Sequence, residues 1–176
     1  MLQRFACAVL HSTRDDMTTA SIDSFLRRVL TIDAVTCVGV GLLLSLGADL
    51  LSPLLEVPRP WLQSAGLALF PIAAFVAWVA TDDELSLPRV RVTIIGNLLW
   101  VGGSVVLLAS GWISLNLFGT AFIVAQAMAV TVFAALQYIG WRKIRSVLSQ
   151  QIEIAAGAPV QLASAKRSEI TSAIVC

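Results

Sequence analysis

Four side chains set in otherwise apolar stretches carry what chemistry this chain offers: Asp33, Asn97, Trp100 and Gln126. Asp33 is the one acid inside a long apolar segment. Ionisable groups are costly in hydrocarbon, and those that are kept there often mark a proton or cation pathway. Three plainer arrangements stand beside that one, because Arg27 and Arg28 precede Asp33 by less than two helical turns. Asp33 can pair with either arginine, bond to the amide of Asn97 or Gln126, or sit at headgroup level. Asn97 and Gln126 supply amides for bonds between helices. Such bonds contribute only ~0.6 kcal/mol on average within a membrane, so they specify packing more than they stabilise it. Asn97 lies near the charged end of its segment and Gln126 well inside its own, so the two are expected to find different partners. Trp100 shares the Asn97 face, where it either lines a cavity or closes a core; a packed core aromatic is expected.

What is missing narrows the chemistry further. His11 is the only histidine and precedes the first apolar segment, so no haem-ligating histidine sits in a span. There is no P-loop, no GxSxG and no His/Cys/Asp cluster at metal spacing. Cys7, Cys37 and Cys176 form no CxxC pair, and an odd number cannot complete a disulfide framework, so they read as free thiols. Cys176 is the last residue, whereas prenylation needs cysteine fourth from the end. No catalytic, cofactor-binding or metal-binding residue is assigned, and the reading is non-enzymatic.

The elements that must position these residues are membrane helices. Hydrophobic residues make up 57% of the 176, charged residues only 13%, and the mean hydropathy is +0.84. A soluble globular chain is far more charged. A net charge of +1 without a basic cluster gives no support for a nucleic-acid partner. Four apolar segments are long enough to cross a hydrocarbon core of ~30 Å as helices: 25–46, 61–80, 92–110 and 113–139. The first carries Asp33, Thr36, Cys37, Val40, Gly41 and Leu44 on one side. The second has Trp61 and Trp78 near its ends, a bend expected at Pro71, and a small-xxx-small pair in Ala73 and Ala77. The third presents Thr93, Asn97, Trp100 and Ser104 as a stripe that must be covered by other helices, since lipid offers no hydrogen bonds. Gly111 and Trp112 form a turn so short that the third and fourth segments must be antiparallel neighbours. The fourth shows Gly119, Gln126, Ala129 and Gln137 as a small and polar stripe, with Phe133 in the same arc, and Gly140 ends it.

Around this 25–145 domain, 1–24 reads as a polar cytoplasmic tail, its apolar patch too short for a signal-peptide core. The Ala/Ser-rich 146–176 reads as a second, mobile cytoplasmic tail. Part of 47–60, with Leu50, Leu51, Leu54 and Leu55, is expected to lie in the membrane interface. Tyr138 and Trp141 suit an aromatic belt. Of the 12 lysines and arginines, only Arg59 falls in the outer loops if both termini are inside, which gives an N-in, C-in topology.

The segments DAVTCVGVGLLLSLG, GLALFPIAAFVAWVA, GNLLWVGGSVVLL and FIVAQAMAVTVFAALQY, with Asp33, Pro71, Asn97, Trp100 and Gln126 as landmarks, resemble the spans of a widespread group of small bacterial four-span integral membrane proteins without an assigned activity. The likeness covers 26–145. It implies a multi-pass protein of the bacterial inner membrane and supplies no substrate, cofactor or catalytic residue. The expectation is therefore an all-α membrane protein, a four-helix transmembrane bundle in the lipid bilayer. It would act as an accessory or packing component, with a homo-oligomer or other membrane proteins as its company. The alternative is a small proton- or cation-coupled transporter using Asp33. That alternative resembles the small multidrug transporters only in size, span count and an acid in the first span; the acid is shallower here and the surrounding motif is not present.

Overall fold

The structure is a computed structural model and describes residues 20–83, 85–113 and 115–153. Among the described residues there are five helices: α1 (Leu2–Leu46), α2 (Ala48–Leu55), α3 (Arg59–Thr81), α4 (Leu87–Ser110) and α5 (Leu117–Val175). Four segments are long and apolar enough to cross a membrane: Ala20–Leu46, Arg59–Thr81, Leu87–Ser110 and Leu117–Glu153. The chain is thus an all-α membrane bundle. The tails expected at either end lie, over 1–19 and 154–176, outside the described residues.

Where the helices begin and end differs from the hydropathy pattern, for reasons that can be named. Ala20–Ser24 already belong to α1, and Ser146–Glu153 continue α5. α4 starts at Leu87 rather than at 92 because Pro88 fits a first turn, where its missing amide has no partner to lose. Arg89 and Arg91 consequently ride on the helix. α4 stops at Ser110, where Gly111 takes the left-handed conformation (φ 63°) that glycine adopts without strain. The turn that follows is longer than Gly111–Trp112, since α5 begins at Leu117 and not at 113. Asn116 sets that start. Its Oδ1 accepts from the Gly119 amide at 2.8 Å while its Nδ2 donates to the Leu54 carbonyl at 2.8 Å, so one side chain caps α5 and clasps the end of α2. Asn116→Ala is expected to cost about 1 kcal/mol, read by unfolding in a denaturing detergent.

The helix does not stop at Gly140. α5 runs through it, and the missing side chain lets Leu26 of α1 pack closely: a Cβ there would lie 3.0 Å from Leu26 Cδ1. The 47–60 stretch folds as α2, with Ala48 and Leu55 buried and Leu50 and Leu54 exposed.

The four long helices form a ring. α1 packs on α3 and on α5, α5 on α4, and α3 barely touches α4, so α1 and α4 face each other across the diagonal. α4 and α5 are the antiparallel neighbours their short connection demands. Between helices in lipid the hydrophobic effect gives little drive, and close backbone approach takes its place. At the α1–α3 contact, a Cβ on Gly66 would lie 2.8 Å from the Ser45 amide nitrogen and 2.9 Å from the Gly41 carbonyl oxygen. The small pair picked out beforehand, Ala73 and Ala77, lies on the same helix, with Ala73 buried and Ala77 partly so. Two apolar clusters fill the bundle, one built on Leu26, Leu30, Val76, Val79 and Val90, the other on Leu44, Leu55, Leu62 and Leu69. The polar residues sit between them.

Candidate functional site

Asp33 faces inward because α1 buries the stripe that also holds Leu26, Leu30 and Cys37, residues spaced three or four apart. Only 1% of Asp33 is exposed, with 6% of Asn97 and none of Gln137. The three meet from three different helices. Asn97 Nδ2 donates to Asp33 Oδ2 at 3.0 Å and to Gln137 Oε1 at 3.1 Å. Gln137 Nε2 donates to the same carboxylate oxygen at 2.7 Å. The Cys37 thiol, one turn along α1, points at the other oxygen, Oδ1, from 3.8 Å. Oδ2 therefore carries two amide donors, and Oδ1 only a long thiol contact.

Of the arrangements open to Asp33, the structure takes the amide one. Arg27 is engaged elsewhere. Its Nε lies 2.7 Å from Asp23 Oδ2, and its guanidinium donates to the carbonyls of Ala80 and Asp83 at 3.0 Å and to that of Asp82. Those carbonyls close the end of α3, which lacks amide partners and carries the negative end of the helix dipole. Arg89 pairs with Asp82 and lies 4.4 Å over the Trp78 ring. This end of the bundle is thus tied by arginines, while Asp33 is left to amides.

Gln126 is not in the network. Its Nε2 is buried with no protein partner, whereas Asn97 bonds to Asp33 and Gln137, so the separate partner expected for that amide is not there. Gln137 holds the place instead. It lies eleven residues beyond Gln126, about three full helical turns, and so on the same face. The signal was available: Asn97 and Gln137 are both shallow from the charged ends of their helices, whereas Gln126 is deep. Trp100 is half-buried against the Leu44–Leu69 cluster and also borders a cavity, so both roles foreseen for it are filled.

That cavity, of about 80 Å³, lies at the centre of the ring beside the network, with Asp33, Asn97, Trp100, Gln126, Cys37 and Phe133 among its walls. Ile72 of α3 and Gly96 of α4 also line it, on the two helices that barely touch, and they are exposed, as are Thr36 of α1 and Ala129 of α5 in the same lining. A second cavity, of about 130 Å³, shares the Trp100 and Gln126 walls and extends toward α2 between Leu44, Leu55, Leu62 and Phe122. Among the described residues, no group of three His, Cys, Asp or Glu side chains could hold a metal ion. The arrangement can seat a hydrogen-bond donor or a cation against Asp33 Oδ1. The chain matches no protein-family model, no curated protein and no solved structure, so its function is argued from its own residues.

Proposed function

We propose that this chain is a non-enzymatic accessory protein of the bacterial cytoplasmic membrane, with both termini inside, that packs against another membrane protein or a second copy of itself. The observation that supports this is the outer face of α4. Gly96, Gly102 and Gly103 are exposed, and a Cβ on any of them would meet nothing within 4 Å. Gly96 and Gly103 are two turns apart on one face. Small residues that no helix of this chain uses are the surface on which another transmembrane helix can come close. The Asp33–Asn97–Gln137 network then fixes the register of the three helices behind that face. Purification in mild detergent tests the reading: a stoichiometric membrane partner or homo-oligomer that Gly103→Leu releases supports it, and a monomer without partner in native membranes rejects it.

A second reading is favoured by the cavity beside Asp33: a small proton- or cation-coupled transporter. Asp33→Asn is then expected to abolish solute-driven flux in proteoliposomes while the protein still accumulates in membranes. Unchanged flux in that variant rejects it.

A further inference from the structure

The geometry points to a binding site for a membrane-partitioning organic ammonium ion, whose head meets Asp33 Oδ1 and whose apolar tail lies in the second cavity. The inference takes its charged group from the transporter reading, but it concerns binding and needs no transport.

Three observations converge on this ligand chemistry. Asp33 Oδ2 is occupied by two amides, whereas Oδ1 faces only the Cys37 thiol at 3.8 Å. An N–H donor of a ligand is a stronger partner for that oxygen than a long thiol contact. Trp100 walls the same cavity, and an indole face attracts a cation placed within ~6 Å of it. Beyond Trp100 and Gln126 the second cavity is lined by leucines and Phe122, a lining that suits a short alkyl chain and no second charge.

The route in follows from the ring. α3 and α4 are its loosest pair, and Ile72 and Gly96 of the cavity lining stand one on each. The seam faces the side of the bundle, so a ligand dissolved in the bilayer reaches Asp33 without crossing either polar end. The end near the arginines is closed by the cluster of Leu26, Leu30, Val79 and Val90.

The test uses the full chain in a non-ionic detergent, with n-hexylamine as probe and methylamine and n-hexanol as controls. Hexylamine is expected to raise the melting temperature saturably, by about 3 °C. Methylamine and hexanol are each expected to need at least about tenfold more, since tenfold corresponds to one modest lost contact. Two variants locate the site. Asp33→Asn removes the carboxyl group. Gly96→Phe fills the seam, where an added Cβ would meet nothing within 4 Å, and its melting temperature without amine is taken as its own baseline. Both are expected to lose the hexylamine response. If hexanol acts at the same concentration as hexylamine, the effect is partitioning and the site is wrong. Methylamine acting as well as hexylamine overturns the tail cavity, and a folded Gly96→Phe that responds normally overturns the seam. Stabilisation without hexylamine flux in proteoliposomes rejects the transporter reading and keeps the site. Proton flux through Asp33 without stabilisation does the reverse.

Discussion

Replacing Gln137 by leucine is expected to destabilise the bundle by about 3 kcal/mol, measured by unfolding in a denaturing detergent. The change removes the 2.7 Å bond to Asp33 Oδ2 and the acceptor of the 3.1 Å bond from Asn97. It leaves a carboxylate that is only 1% exposed with one amide donor in place of two. Taking one partner from a buried polar group costs more than the bond contributes, because the group left behind has no water to turn to. The same asymmetry gives the control. Asp33→Leu, Asn97→Leu and Gln137→Leu combined leave no orphan, so the triple variant is expected to be more stable than Gln137→Leu alone. Replacing a whole buried ionic network by apolar residues is often neutral or stabilising. A triple variant weaker than the single one would mean that the network holds the helices together rather than setting their register.

The second large effect is expected at Gly66. Gly66→Ala should cost about 2–3 kcal/mol, in the range of overpacking a close contact. The added carbon would lie 2.5 Å from Ser45 Oγ, 2.8 Å from the Ser45 amide nitrogen and 2.9 Å from the Gly41 carbonyl oxygen. The hydroxyl can rotate away, but two of those three atoms are backbone, and they move only if α1 and α3 separate. Gly102→Ala is the matched control, since nothing lies within 4 Å of its added carbon, and its stability should stay within about 0.5 kcal/mol of the original. Equal behaviour of the two would show that the α1–α3 contact is loose in the membrane.

The spans were legible because they follow from periodicity and long uncharged runs. Asp33 falls on the stripe of Leu26, Leu30 and Cys37 at three- and four-residue spacing, although the sequence leaves its partner open between arginine, amide and headgroup. Helix ends were less legible, because hydropathy reports where charge stops and not where hydrogen bonding stops. Pro88 and Asn116 decide where α4 and α5 begin: Pro88 lies outside the apolar runs, and Asn116 lies within 113–139, where a count of charges passes over it. Gly140 was misread for a related reason. Glycine closes helices, and it also marks places where helices touch, and only the position of Leu26 separates the two meanings. Gln126 was set among the candidates ahead of Gln137 because it lies mid-span. Depth matched against Asn97 selects Gln137 instead.

The ties between α1 and α3 all lie within residues 20–83: Gly41 on Gly66, and Arg27 on the carbonyls that end α3. This pair is therefore complete as a hairpin once α3 has been synthesised. Asp33 is not, because Asn97 and Gln137 are still to be made. Until they arrive the newborn hairpin holds a bare carboxyl, at an insertion cost below the roughly 2.5–3.5 kcal/mol of an acid at mid-membrane, because Asp33 lies toward the arginine end. Biogenesis thus has a waiting step built into its order, during which Asp33 depends on water or on the insertion machinery. The late helices α4 and α5 supply what the early ones lack.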